Sequence, residues 1–193
     1  DQFVAEIVAQ EGVIPAAAKI QVQTAIDTWV WYAGWCDKID SISGSTNPVS
    51  GPFYNFSIPE SLGVVAIFAD SKPSLLSLVS ALAPVIATGN TAVLIASQKY
   101  PLCAITLAEC LATSDVPAGV VNILTGKLDQ FVTWVGSHME IDGVDATGLG
   151  SKDLAEIKEL GSENLKRVYS FGDSKSTKRM TSFMEVKTVW HTV

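Results

Sequence analysis

Few thiol and imidazole groups, which can act as nucleophiles or metal ligands, occur in this sequence. They are three cysteines and two histidines: Cys36, Cys103, Cys110, His138 and His191. A thiol nucleophile needs a base and an oxyanion donor nearby, and neither histidine has an acid or a serine at a recognisable spacing. No Cys-x-x-Cys pair occurs, and two scattered histidines do not complete a metal site. We interpret the cysteines as small core residues and the histidines as structural or surface groups, and we predict no metal.

Phosphate binding at a turn is the other chemistry that the sequence offers. Thr147-Gly148-Leu149-Gly150 is a small-residue turn before a predicted helix, where backbone N–H groups can face a phosphate. Neither Gly-x-Gly-x-x-Gly nor Gly-x-x-x-x-Gly-Lys-Ser/Thr follows any predicted strand. A plain tight turn is therefore the favoured interpretation, with phosphate binding as the alternative.

An alternation of strands and helices positions these groups. Continuous apolar runs predict strands buried on both faces, and longer segments between them predict helices. The strands are predicted at 62–69, 91–96, 120–124, 141–146 and 165–171, and the helices at 75–87, 101–113, 128–137 and 152–160. This order predicts an α/β fold with a mostly parallel, doubly wound sheet, which invites a dinucleotide at its switch point.

The two ends of the chain have different patterns. Apolar spacing predicts an amphipathic helix over 15–40, whose Trp29, Trp31 and Trp35 belong to a core or an interface. Residues 53–58 nearly alternate apolar and polar and predict a half-exposed strand that Pro59 ends. The β-rich C-terminus pairs with it in a two-stranded extension. The predicted organisation is a helical segment at 1–52, a β extension at 53–62 and 183–193, and a Rossmann-like domain at 63–182.

Composition restricts the partners. Thirteen Lys+Arg against 20 Asp+Glu give a net charge of −7, which disfavours a nucleic acid. Charged residues are 17% of the chain, where about 25% is usual, so part of the surface is predicted to be covered in an oligomer or larger assembly. The longest apolar stretch, 74–87, is interrupted by Pro84 and is shorter than the roughly 20 residues of a membrane span. With no visible secretory signal and an odd number of cysteines, we expect a soluble, cytoplasmic protein.

Several long motifs of the chain match one known enzyme family. The segment 31–38 is similar to the Tyr-Tyr-Ala-Gly-Trp-Ala-Asp-Lys helix, and 59–65 to the entry into the first Rossmann strand, of the NAD(P)-dependent aldehyde dehydrogenases. The segments 82–94 and 116–126 match the next two turns, and 164–168 resembles the strand that leads toward the general base. The resemblance covers most of the chain in order, and it implies the coenzyme domain of that family.

Positions that bind substrate or the adenosine ribose in the family are changed. Asp70-Ser71-Lys72-Pro73-Ser74 stands where the family has Pro-Trp-Asn-Phe-Pro, so Lys72 or Ser71 replaces the oxyanion-binding Asn. In the family a lysine and a glutamate hold the ribose. Ile95 and Gln98 stand at their positions in this chain, and Ser97 lies between them. Loss of a charge-assisted hydrogen bond worth about 1.5–3 kcal/mol would weaken cofactor binding about ten- to a hundredfold.

The pyrophosphate and general-base motifs are changed as well. Ala146-Thr147-Gly148-Leu149 corresponds to the family's Phe-Thr-Gly-Ser and keeps only the threonine and the glycine. Residues 169–175 lack a carboxylate at the general-base position, and Asp173 stands where a glycine is expected. The residues left as degenerate cofactor contacts are Ser97, Gln98, Thr147 and Gly148.

The C-terminus follows without the family's catalytic domain, which carries its nucleophilic cysteine. Residues 181–190 are similar to the family's C-terminal oligomerisation strand, so the chain resembles the shortened C-terminal unit of the two-domain, sixteenth-class enzymes. In the family this extension joins the catalytic sheet of another subunit. The resemblance implies an oligomerisation role for six residues: Phe53, Tyr54, Phe56, Val186, Thr188 and Trp190.

The sequence thus predicts a non-catalytic, aldehyde-dehydrogenase-like domain that serves assembly. Its expected partner is a second copy or an aldehyde dehydrogenase catalytic unit, in the same polypeptide or in another. One alternative is a passive part of a longer NAD(P)-dependent enzyme that oxidises aldehydes with residues located elsewhere. The other is a regulatory module that still holds NAD(P) weakly through Gly148 and Ser97 or Gln98, against which Ile95 argues.

Overall fold

The protein alternates strands and helices along most of its length. A computed structural model describes residues 1–172 and 175–193. The helices are α1 (Gln2–Glu11), α2 (Pro15–Ala33), α3 (Ile39–Ser43), α4 (Ser74–Ala87), α5 (Leu102–Ala112), α6 (Leu128–Ser137), α7 (Ser151–Gly161) and α8 (Thr177–Thr181). The strands are β1 (Ser45–Thr46), β2 (Phe53–Ser61), β3 (Val64–Phe68), β4 (Thr91–Ile95), β5 (Val121–Leu124), β6 (Gly143–Asp145), β7 (Arg167–Tyr169) and β8 (Met184–Thr192).

The main sheet has the order β5-β4-β3-β6-β7, and all its neighbouring strands are parallel. One helix, from α4 to α7, crosses between each pair of strands that follow each other in the chain. The predicted α/β fold with a doubly wound parallel sheet is therefore confirmed. Most of the predicted strands and helices begin or end within a few residues of the observed ones. The helix predicted at 128–137 has the bounds of α6.

Side chains alternate between the two faces of this sheet and build two cores. Val65 and Ile67 of β3 pack on one face in a cluster with buried residues of α4 and α5. Ala66 and Phe68 pack on the other face with buried residues of α6 and α7. Helices thus cover both faces, which is why β3 reads as a continuous apolar run.

The N-terminal region departs from the prediction in two ways. Helix α1 was not predicted, although Gly12, with φ of 70°, ends it in the left-handed conformation and Pro15 begins α2. The helix predicted at 15–40 is wrong at its C-terminus, because α2 ends at Ala33 before Gly34. The tryptophans of this segment are half-buried against the core, as predicted.

The β extension has three strands rather than the predicted two, because β1 adds to β2. The prediction that Pro59 ends the second strand is also wrong, since β2 continues to Ser61 and pairs Pro59 with Val186. A proline is tolerated there because β1 pairs only with Phe56 and Ser57, so β2 has a single neighbour at this point.

One buried amide joins the extension to the main sheet. Asn90 donates from Nδ2 to the Phe183 carbonyl at 2.8 Å, and its Oδ1 accepts from the Gly63 N–H at 2.8 Å. It thereby connects the residues that precede β4, β8 and β3.

Across residues 1–172 and 175–193, no helix combines the length and the apolar character that a membrane crossing requires.

Candidate functional site

A small pocket lies where β3 and β6 are neighbours at the carboxyl edge of the main sheet. From β3 the chain goes on to β4 on one side, and from β6 to β7 on the other, so this is the switch point of the sheet. The pocket has a volume of about 150 Å³. Ligand pockets usually measure about 300–1,000 Å³, so this space fits a few water molecules or a small polar group. Its lining includes Asp70, Lys72, Ser80, Thr147, Phe171 and Arg179.

A buried ion pair borders this pocket. Arg179 Nη2 lies 2.8 Å from Asp145 Oδ2, and the two side chains are 4% and 1% exposed. The Thr147 hydroxyl and N–H both donate to Asp145 Oδ1. The Arg179 guanidinium also lies 4.9 Å from the centroid of the Phe171 ring. These contacts fix α8, which carries Arg179, to the carboxyl edge of the sheet.

Sequence analysis missed this pair, although one signal for it was present. Asp145 closes an apolar run, and a carboxylate at the end of a strand buried on both faces needs a partner. Its partner stands 34 residues later on α8, a helix that was not predicted. The pair is therefore visible only once the chain is folded.

Asp70 contributes a carboxylate to the lining of the pocket. Burial raises its pKa, the nearby Asp145 carboxylate raises it further, and Arg179 opposes the shift without cancelling it. Asp70 follows β3, in the segment that replaces the family's oxyanion-binding motif. The Asp70 carboxylate shares this pocket with the cations Lys72 and Arg179, so the pocket carries charges of both signs.

The Thr147–Leu149 turn, for which phosphate binding was the alternative to a plain tight turn, uses its amides internally. Gly148 N–H donates to the Phe68 carbonyl at 2.7 Å, and Leu149 N–H donates to the Ala146 carbonyl at 3.1 Å. The Thr147 hydroxyl also accepts from Phe171 N–H at 3.0 Å. Three successive amides of this turn, from Thr147 to Leu149, therefore already have acceptors within the chain.

The other two predicted cofactor contacts lie at the end of β4. Ser97 is buried, and its Oγ accepts the N–H groups of Lys99 and Tyr100 at 3.2 and 3.1 Å. Gln98 is exposed on the same loop. Because β3 separates β4 from β6, these residues are roughly 10 Å from the Thr147 turn along the sheet edge. Ile95, in place of the family's lysine, is fully buried in the second core.

The cysteines are placed differently from the prediction. Cys103 is buried in the core as predicted, but Cys36 and Cys110 are exposed, so their interpretation as core residues is wrong. Cys36 follows the actual end of α2, and burial along α5 stops at Leu107. Burial raises the pKa of the Cys103 thiol to about 11; the Ser74 hydroxyl opposes this shift, and Glu6 and Glu11 add to it.

Native-state thiol labelling is expected to separate these cysteines. At about pH 8 a thiol with a pKa near 11 is only about 0.1% thiolate, so Cys103 is expected to react at least about a hundredfold more slowly than the two exposed thiols. Iodoacetamide labelling followed by peptide mass spectrometry measures this. Fast labelling at Cys103 in the folded chain would contradict it, and labelling in urea, where all three should react, is the control.

The histidines lie outside the pocket. His138 is exposed after α6, where its Nδ1 accepts the Glu140 N–H at 3.2 Å. His191 is exposed on β8 opposite Tyr54. Among the residues that the structure describes, no three His, Cys, Asp or Glu side chains are grouped so that they could hold a metal ion. Asp173, the acid near the family's general-base position, lies outside the described residues.

The six residues predicted for oligomerisation lie on both faces of the extension. The register puts Phe53, Val186, Thr188 and Trp190 on one face, where the Phe53 and Trp190 ring centroids are 5.9 Å apart. Tyr54 and Phe56 lie on the opposite face, with ring centroids 5.4 Å apart. Only Phe56 of the six is half-buried, and the other five are exposed.

Comparisons with known proteins agree with this fold. The chain is 33% identical over 149 residues to human retinal dehydrogenase 2, covering 77% of this chain and 28% of that protein. It is 36% identical over 145 residues to human aldehyde dehydrogenase 1A1, covering 74% and 28%. Among solved structures it is similar to PnpE from Pseudomonas sp. WBC-3, at a TM-score of 0.77 and 25% identity, covering 86% of this chain and 34% of that one.

The share of the chain that these comparisons cover decides the family assignment. A fold match to the NAD-dependent aldehyde dehydrogenase from Sinorhizobium meliloti has a TM-score of 0.76 at 22% identity, over 86% of this chain and 33% of that one. The chain thus spans about a third or less of the proteins it matches. The model of the aldehyde dehydrogenase family matches residues 1–189. The chain therefore belongs to the aldehyde dehydrogenase family.

Proposed function

We propose that this chain is a non-catalytic assembly module of the aldehyde dehydrogenase family, akin to the shortened C-terminal unit of the two-domain enzymes. It offers its β extension to a second copy or to a catalytic unit in cis or in trans, and it acts in the cytoplasm. The observation that carries the proposal is the long β8 strand, nine residues from Met184 to Thr192, which pairs along its length with β2 on one side only among the described residues.

The strand register identifies which backbone N–H groups of β8 face the side of the strand that has no neighbouring strand. Just beyond β8, the Val193 N–H donates to the Pro52 carbonyl at 3.1 Å, so it points toward the neighbouring strand. Amide direction alternates along a strand, so the N–H groups of residues 186, 188 and 190 point to the open side. Pro59 opposite Val186 agrees with this, since a proline has no N–H to give to that pair.

The open edge combines backbone groups with apolar side chains. Val186 is 56% exposed and Trp190 is 61% exposed on the same face. A row of free N–H and C=O groups is a template for strand addition, which supplies hydrogen bonds while the side chains supply specificity. Such an edge left unpaired would also favour aggregation, which supports a dedicated partner strand.

We also propose that the chain does not hold NAD(P) in the manner of the enzymes it resembles. The residues present do not fit the dinucleotide: the amides of the Thr147 turn are engaged, Ile95 offers no charge, and the switch-point pocket is only about 150 Å³. An acyl-transfer step within this chain is equally unsupported, because no cysteine lines that pocket among the residues that the structure describes.

The alternative is that the chain is part of a longer NAD(P)-dependent aldehyde dehydrogenase. The observation that favours it is coverage, since the alignment reaches 28% of human retinal dehydrogenase 2. In that case the catalytic residues lie elsewhere, and the β extension still serves assembly. The intact mass of the polypeptide from its source measures whether the chain stands alone or is one unit of a longer polypeptide that carries the catalytic residues.

Two substitutions of Thr188 test the role of the β8 edge. Thr188→Pro removes an outward N–H, whereas Thr188→Ala removes only the hydroxyl that bonds to Ser57 Oγ at 3.0 Å. We expect the alanine variant to associate as the wild type does and the proline variant to be monomeric in sedimentation velocity. The same two variants mixed with an aldehyde dehydrogenase catalytic unit test the hetero-assembly. If Thr188→Pro associates like Thr188→Ala in both arms while circular dichroism shows the fold intact, the proposal fails.

A further inference from the structure

Two lysine side chains from neighbouring loops converge on one tyrosine ring. Lys72 follows β3, and Lys99 and Tyr100 follow β4, so both loops lie at the carboxyl edge of adjacent parallel strands. Lys72 Nζ is 4.8 Å from the centroid of the Tyr100 ring, and Lys99 Nζ is 5.3 Å from it. Tyr100 is only 8% exposed, so burial holds the ring in place beside the two lysine side chains.

Neither ammonium group is neutralised by an acid within residues 1–172 and 175–193. The four ion pairs found there involve other lysines and arginines. Lys72 Nζ donates to the Glu11 backbone carbonyl at 3.1 Å, while the Glu11 carboxylate accepts from the Ser74 N–H and hydroxyl. The chain has 20 acidic and 13 basic residues, so two cations without a carboxylate partner at one ring run against its overall charge. Two ammonium groups beside one ring repel each other, and an anion bound between them would offset that repulsion.

Two further features make the same place positive. Helix α5 has 11 residues and begins at Leu102, so the positive end of its dipole lies next to Tyr100. Burial raises the pKa of the Tyr100 phenol, but the ammonium groups of Lys99 and Lys72 outweigh burial, and the pKa is lowered. A phenol pKa that is lowered despite burial reports a positive potential at the phenol oxygen.

We propose that Lys72, Lys99 and Tyr100 form a binding site for one oxyanion group, the phosphate or carboxylate of a small molecule. Two ammonium groups supply charged donors, and the phenol O–H supplies a third donor of fixed position. The site differs from the cofactor positions at Ser97 and Gln98, and it does not depend on the β8 edge. Its test is therefore independent of the assembly role.

Inorganic phosphate is the first probe. Calorimetric titration of the 193-residue chain at about pH 7.5 is expected to give saturable binding in the millimolar range, weakened at least about tenfold in Lys99→Met and in Lys72→Met. Lys127→Met is the matched control, because Lys127 is an exposed lysine before α6, on a different loop, and is expected to bind as the wild type does. Circular dichroism checks that each variant is folded.

The phenol gives a second readout at the site itself. The absorbance of ionised tyrosine is measured in the wild type and in Tyr100→Phe as the pH is raised. The difference between the two follows the ionisation of Tyr100 alone. Bound phosphate places negative charge beside the phenol, so it is expected to raise the Tyr100 pKa more than sodium chloride of equal ionic strength does. Acetate in place of phosphate identifies the ligand class: a shift with acetate alone indicates a carboxylate, with phosphate alone a phosphate, and with both a general oxyanion site. The proposal is overturned if neither anion raises the Tyr100 pKa more than chloride does. It is also overturned if Lys99→Met binds phosphate as tightly as Lys127→Met does.

Discussion

Replacing Arg179 with methionine is expected to lower the free energy of unfolding by about 3–5 kcal/mol. The Asp145 carboxylate, whose side chain is 1% exposed, would stay at the carboxyl edge of the sheet without its cation. Removing one partner of a buried pair costs more than the pair contributes, because the remaining charge stays desolvated. Urea denaturation followed by tryptophan fluorescence measures the loss.

A double substitution and a surface pair make this test specific. Asp145→Asn with Arg179→Met removes both charges, and it is expected to recover at least about 1 kcal/mol relative to Arg179→Met alone. Lys187→Met breaks the exposed pair that Lys187 Nζ forms with Glu60 Oε1 at 3.0 Å, and it is expected to cost less than about 1 kcal/mol. A cost for Arg179→Met no greater than that for Lys187→Met would show that the buried pair does not stabilise the fold.

The same pair links the candidate site to the β extension, the proposed assembly surface. Arg179 lies on α8, which ends at Thr181, and β8 begins three residues later at Met184. Fixing α8 to the end of β6 therefore also fixes where the extension leaves the main sheet. In this arrangement the charge pair at the switch point of the sheet helps to set the position of β8.

The main sheet could be predicted because its strands are buried on both faces, and such strands appear in the sequence as continuous apolar runs. Residues 64–68 and 91–95 are apolar on both faces, which local sequence reveals without knowledge of partners. The β extension was also predictable, through its alternating pattern. Its third strand was not, because β1 has only two residues and owes its existence to pairing with β2.

The site was less predictable because its parts come together only in three dimensions. Asp145 and Arg179, like Lys72 and Tyr100, are brought together by crossovers that no local pattern records. The cysteine interpretation failed for a related reason. Cys103 and Cys110 share a face of an ideal helix, but the buried residues of α5 end at Leu107, and Cys110 is exposed.

Gly148 was predicted as a possible phosphate contact, and its surroundings give a different reason for a glycine. A Cβ atom at this position would lie 2.3 Å from the Ala69 carbonyl oxygen and 2.5 Å from its carbon. These are backbone atoms of the residue that follows β3, so they cannot move aside as a side chain can. The Gly148 N–H also donates to Phe68 O at 2.7 Å, which holds the two backbones at this distance.

Gly148→Ala is therefore expected to lower the free energy of unfolding by more than about 3 kcal/mol, since the turn must separate from the end of β3. Gly150→Ala is the matched control two residues later, because no atom lies within 4 Å of the Cβ it would add. We expect it to cost about 0.5–1 kcal/mol, the usual loss at the residue before a helix. Urea denaturation of both variants, without any nucleotide present, measures the difference. Equal costs would show that packing does not require the glycine and would restore phosphate binding as its explanation.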